Sequence, residues 1–272
     1  MTIKSNPIAL MKMWRMKMWL MKMYRPILKF YLAALLSSMI CVTSVQAAVI
    51  MVGTRVIFPA DQNEKTIQFQ NKDKTPNIVQ LWLDSGDERL TAENADAPFF
   101  ATPQIFKTGA FQGQIVRLTF TGDRAALPTD KESLFYLNFS EIPSSKSADT
   151  DKNKMLIIFR NRVKLFYRPT GLAIQSFEIN KHISYKIIRK NSNDAIEFKN
   201  NSPYYANISE ASLSSNDQKT VLAQSIMVAP GEAVQWDLNQ KNLNPANMKL
   251  HIGILNDYGV AVVSEVTHNN EH

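Results

Sequence analysis

The sequence predicts an all-β protein built as two β-sandwich domains, and three observations carry this. From Val49 onward the apolar residues fall in short β-branched and aromatic runs, with almost no long 3.6-residue periodicity. Turn-forming Pro, Gly, Asn and Asp separate the runs. The series is interrupted at Pro169 and Gly171, after which a second series of the same kind begins.

The first 47 residues stand apart. They carry Lys4, Lys12, Arg15, Lys17, Lys22, Arg25 and Lys29 and no acidic residue. An apolar run, YLAALLSSMICV (31–42), follows, shorter than the roughly 20 residues that cross a bilayer. Next comes TSVQA, with the small residues Val45 and Ala47 where a signal peptidase reads. Residues 1–47 are therefore read as a signal peptide cleaved after Ala47, with Met16, Met21 and Met23 as alternative starts.

Removing this leader takes seven of the 31 Lys and Arg residues and leaves 31 − 7 = 24 against 24 Asp and Glu. The mature chain is formally neutral, so the net charge of +7 is no argument for nucleic acid. Cys41, the only cysteine, leaves with the leader, which excludes an internal disulfide and a cysteine metal site. An oxidising compartment such as a bacterial periplasm permits disulfides without requiring them.

In the first series the expected strands are VIMVGTRVIFP (49–59), KTIQFQNK (65–72), NIVQLWLD (77–84), QIVRLTFT (114–121), SLFYLNFSEIP (133–143) and MLIIFRNRVKLFYRP (155–169). Alternation sets Ile67 and Phe69 against Thr66, Gln68 and Gln70. It likewise sets Val116, Leu118 and Phe120 against Ile115, Arg117 and Thr119. Each is a strand with one buried face. Six or seven such strands match a sandwich of immunoglobulin type. The second series reads ISYKIIRK, AIEFKN, YYANISEASL, QSIMVAPG, AVQWDL and MKLHIGILNDYG. The expected domains are 48–170 and 171–272, both of ordinary size. SSKSADTDKNK (144–154) reads as a mobile surface loop.

No catalytic constellation appears. There is no Gly-x-Ser-x-Gly, P-loop, dinucleotide fingerprint or His-Glu-x-x-His, and His182, His251, His268 and His272 are scattered. Asp84, Asp87 and Glu88 sit in turn sequence, where carboxylates are usually solvated or cap the backbone. The expectation is a binding protein without enzymatic activity, metal or cofactor.

The segment 155–159 is the place to look for binding. As a strand it sets Met155, Ile157 and Phe159 on one face and Leu156 and Ile158 on the other, so both faces are apolar. Periodicity leaves two explanations open: a strand covered on both faces within the fold, or one whose second face meets a partner.

VKLFYRP, preceded by an alternating apolar strand and by ESLFYLNFSEIP (132–143), resembles the signature of the PapD-like periplasmic chaperones of the chaperone-usher pathway. TRVIFP (54–59), FFATPQIF (99–106), SPYYANI (202–208) and ILNDYGV (254–260) extend the resemblance over essentially the whole mature chain. It implies two immunoglobulin-like domains set as an L. It also implies a periplasmic chaperone that lends a strand to pilus subunits and delivers them to an outer-membrane usher.

Residue by residue, the resemblance makes Met155, Ile157 and Phe159 the donor side chains. It makes Arg55 and Lys164 the anchor for the subunit's C-terminal carboxylate, and Glu132, Arg168 and Asp257 an interdomain ionic network. Self-association of the free chain stays open. The competing readings are a structural or adhesive immunoglobulin-like surface module, in which 155–159 is internal core, and a secreted hydrolase. Lys164 has the opposite parity to Met155, Ile157 and Phe159: either the cleft lies on the other face of the strand, or a bulge changes the parity.

Overall fold

The computed structural model describes residues 49–143, 158–189, 193–215, 218–238 and 248–268. Met155, Ile157, the leader and the stretch 144–154 lie outside the described residues. No helix among the described residues is long and apolar enough to cross a membrane.

Among the described residues the first sandwich holds nine strands: β1 (Val49–Met51), β2 (Arg55–Pro59), β3 (Glu64–Asn71), β4 (Asn77–Asp84), β5 (Phe99–Thr102), β6 (Ile105–Thr108), β7 (Gly113–Phe120), β8 (Ser133–Pro143) and β9 (Phe159–Arg168). One sheet runs β1-β3-β7-β5 and the other β2-β9-β8-β4-β6. Their inner faces meet over an aromatic core in which Phe99 lies 5.2 Å, edge on, from each of Phe58, Phe120 and Phe135. Tyr167 packs 5.0 Å from Phe120. Alternation holds as expected: Ile67, Phe69, Val116, Leu118 and Phe120 are buried, while Ile115 and Arg117 are exposed.

The stretch 49–59, expected as one strand, is two. Val49–Met51 pairs with β3 in the first sheet, and Arg55–Pro59 pairs in parallel with β9 in the second. Between them Gly53 takes φ +102°, a conformation L side chains rarely adopt, and there the chain crosses from sheet to sheet. Glu141, almost fully buried, joins the two sheets again by accepting a 3.1 Å bond from the Val49 amide. Asp84 also departs from expectation. It is fully buried and accepts from Asn138 Nδ2 (2.6 Å), the Gly86 amide (2.9 Å) and Arg162.

After a 3₁₀ turn at Ser176–His182, the second sandwich comprises β10 (Ile183–Ile188), β11 (Ala195–Asn200), β12 (Ala206–Ser215), β13 (Gln218–Val228), β14 (Ala233–Asp237), β15 (Met248–Leu255) and β16 (Ala261–His268). Its strands form one continuous sheet, β13-β12-β15-β16-β10-β11-β14. The two halves join where β16 pairs in parallel with β10 (Ser184↔Thr267). The core includes Phe198, Trp236, Ile208, Leu250 and Ile252. β16 was not expected: its consecutive exposed Val262 and Val263 break the two-residue alternation.

Candidate functional site

β9 carries most of the site. Its ladder with β8 runs without a shift from Ser133↔Tyr167 to Glu141↔Phe159, so no bulge separates Phe159 from Lys164. The parity question therefore resolves in favour of two faces. Val163, Leu165 and Tyr167 point into the first core. Phe159 lies on that same face but beyond the core, 66% exposed. Arg160, Arg162, Lys164, Phe166 and Arg168 occupy the opposite face.

That outer face divides along its length. Arg160 donates to Asn138 Oδ1 (2.8 Å) and the Glu88 carbonyl (2.6 Å), with its guanidinium 4.9 Å from the Trp82 ring. Arg162 bridges Asp84 and Glu88 and lies 3.6 Å from the Tyr136 ring. These two cations are thus structural: they hold the turn after β4 on the sheet and neutralise a buried carboxylate. Sequence reasoning gave them no role, because their partners arrive from strands far along the chain.

Farther along β9 the same face meets the second sandwich. Lys164 Nζ donates to Asn207 Oδ1 at 2.8 Å, and Asn207 Nδ2 in turn donates to the Tyr205 carbonyl at 3.1 Å, which fixes the amide's orientation. Phe166 packs 5.6 Å from Tyr205. Arg168 donates through Nε to Glu132 Oε1 at 2.8 Å and through both Nη atoms to Asp257 at 2.7 and 2.8 Å, with its guanidinium 5.0 Å from the Tyr204 ring. Glu132 also accepts from the Tyr205 amide (2.9 Å), and Asp257 from Ser176 Oγ (3.0 Å). The structure therefore brings Glu132, Arg168 and Asp257 together across the two sandwiches. Burial pushes the Glu132 carboxyl up. Burial also opposes the charged forms of Asp257 and Arg168, but their mutual bonds prevail, lowering Asp257 and raising Arg168.

Arg55 is the cross-strand neighbour of Lys164. Its Nη1 donates to the Leu255 carbonyl at 3.3 Å. Neither cation forms an ion pair among the described residues. Burial lowers the pKa of both, and for Lys164 the adjacent Arg55 lowers it further. Two like charges are thus held side by side, partly desolvated, in a geometry that an anion would relieve. Asn207 and the Leu255 carbonyl, which orient the pair, were missed. They sit inside the quoted segments SPYYANI and ILNDYGV, and nothing local marks them.

The edges of β9 complete the arrangement. β8 lines one edge along Phe159–Tyr167, but β2 covers the other only from Lys164 to Arg168. Among the described residues no strand pairs with the second edge of Phe159–Val163. An open ladder thus leads straight to the cation pair.

Comparison with known proteins agrees with this architecture. Residues 48–173 match the family described as "Pili and flagellar-assembly chaperone, PapD N-terminal domain", and residues 181–265 match "Pili assembly chaperone PapD, C-terminal domain". The chain is 34% identical over 232 residues to the probable fimbrial chaperone YehC of Escherichia coli K12, covering 85% of this chain and 91% of that protein. It is 34% identical over 223 residues to the chaperone protein HifB of Haemophilus influenzae, covering 81% and 88%. The crystal structure of the YadV chaperone of E. coli superposes with TM-score 0.66 at 29% identity, over 81% of this chain and 100% of that one.

Proposed function

Because the chain belongs to the pili and flagellar-assembly chaperone family, we propose that it captures fimbrial subunits in the periplasm by donor-strand complementation and hands them to an outer-membrane usher. In this reading residues 1–47 direct export, and the domains are 48–170 and 171–272. The function is binding rather than turnover.

One observation carries the reading: the open edge Phe159–Val163 ends at the paired cations Arg55 and Lys164. A subunit that lacks a strand exposes an apolar groove and unpaired backbone groups. β9 supplies the free edge, and Phe159, with Met155 and Ile157 preceding it in the sequence, supplies the proposed donor side chains. A subunit strand whose C-terminal carboxylate sits at Arg55 and Lys164 must enter from the Phe159 end, and so runs parallel to β9. Charge-assisted bonds of this kind contribute about 1.5–3 kcal/mol each.

The test is periplasmic coexpression with candidate pilins, including any encoded near this protein. A soluble one-to-one complex is expected, and it should disappear for Arg55→Ala/Lys164→Ala while the variant stays folded by circular dichroism. Undiminished capture by the double variant rules out the anchor. Failure to capture any of those pilins rules out the chaperone reading.

A further inference from the structure

Far from the cation pair, the first sandwich holds a buried carboxylate without a counter-charge. Glu141 stands on the core side of β8, in line with Leu137 and Phe139, and is 6% exposed. Its side chain accepts from the Val49 amide at 3.1 Å and, among the described residues, has no other hydrogen bond and no ion pair. An ionised carboxylate can accept several bonds, so most of this capacity is unused.

The surrounding charges leave the place for a cation open. Burial pushes the Glu141 carboxyl up, the Val49 amide opposes this, and the charge of Asp73 pushes it up again. Asp73 is itself engaged in its own turn, by the Lys74 amide at 2.6 Å and the Thr75 hydroxyl at 2.9 Å. Lys72, which follows β3, is exposed to solvent.

The one partner of Glu141 lies one residue beyond Ala48, the first residue left when the leader is cut after Ala47. Hydrolysis of the Ala47–Ala48 bond adds water across it: a carboxylate departs with the leader, and the Ala48 nitrogen changes from a neutral amide to a protonated amine. Covalent geometry holds that nitrogen within about 3.7 Å of the Val49 nitrogen, which Glu141 already binds.

We propose that Glu141 receives the new N-terminus: the α-ammonium of Ala48, created by removal of the leader, pairs with its carboxylate and fastens β1 to the second sheet. The inference rests on the leader reading above. Before cleavage the same position offers only a neutral donor, so processing completes the first sandwich. Because the chain runs from β1 through Gly53 to Arg55, the pair also secures the strand crossing that brings Arg55 to β9.

The test exports the full chain to the periplasm with and without Gly-Ser-Gly inserted between Ala47 and Ala48, each also carrying Glu141→Gln, and fixes the first residue by intact mass. The parent should begin at Ala48. At pH 7 the insertion should raise the unfolding equilibrium constant in urea about tenfold, the scale of one pKa unit between opposite charges at this distance. With Glu141→Gln the insertion should cost less than about twofold.

The paired amine's pKa is raised above the ordinary 7.7–8.0 or so, so its stabilisation is present below that range and lost as pH rises through the folded value. The tenfold gap should therefore close by about pH 10. If the parent begins at Ala48 and the insertion costs the same with Glu141→Gln, or the gap persists at pH 10, the pair does not exist and the leader reading stands. A different first residue overturns the leader reading and this inference together.

Discussion

Replacing Arg168 with methionine tests what holds the two sandwiches together. The substitution keeps most of the aliphatic stem and removes the bonds to Glu132 and Asp257. The Glu132 side chain is 2% exposed, so its charge is left uncompensated away from water. Breaking such a buried pair costs about 3–5 kcal/mol. Asp257, 34% exposed, adds little because water screens it, which places the expected loss near 3 kcal/mol.

The pH dependence sharpens this prediction. Burial already pushes Glu132 up, and removing Arg168 pushes it further. A group whose folded-state pKa is raised contributes stability that is present below its unfolded value, about 4.3, and is lost as pH rises through the folded one. The deficit of Arg168→Met should therefore shrink on acidification, and adding Glu132→Gln should recover most of it at neutral pH. Urea unfolding followed by fluorescence is suited to this, since Trp82 and Trp236 report on one sandwich each. If Arg168→Met unfolds within about 0.5 kcal/mol of the parent at both pH values, the three charges behave as an ordinary surface cluster and the reasoning is wrong.

Other predictions concern capture. Ile157→Asp and Phe159→Asp should each weaken recovery of the chaperone–pilin complex at least tenfold, because a buried side chain of this size contributes about 1.5–3 kcal/mol; unchanged recovery removes them from the donor row. Lys164 has a lowered pKa when free, and a bound carboxylate raises it, so the complex takes up a proton. Affinity should fall as pH rises through the free-state pKa of Lys164, while Lys164→Arg stays flat; a flat profile for the parent excludes Lys164 as an anchor. Gly259 takes φ +81°, and a Cβ there would lie 2.2 Å from Thr54 Oγ1. Gly259→Val should therefore lower the urea midpoint and loosen the contact between the sandwiches, seen as faster proteolysis between them; parental behaviour would show that the turn moves aside freely.

Sequence periodicity is a local property, and what it revealed was local. The buried faces of β3 and β7 were legible because each strand has water on one side. The split of 49–59 was hidden, since both halves look equally strand-like and only pairing partners show that they belong to different sheets. Asp84 read as a turn carboxylate because its buried state depends on Arg162 and Asn138, 78 and 54 residues away. At the site, the resemblance named Arg55, Lys164, Glu132, Arg168 and Asp257, while Asn207 and the Leu255 carbonyl depend on how the second sandwich meets the first.

The crossing at Gly53 links these features into one argument about register. Because the chain leaves the first sheet after Met51 and joins β9 only at Arg55, the open edge of β9 stops at Lys164. On the proposed reading an incoming strand meets two signals at one position: β2 blocks further pairing, and the two cations accept its terminal carboxylate. A slip of one residue would turn every donor side chain to the wrong face. The steric stop alone tolerates a strand that ends early, and the charges alone tolerate one displaced sideways. Together they admit a single register, which explains why the cations stand at the first residues of β2 pairing rather than beside the donor side chains.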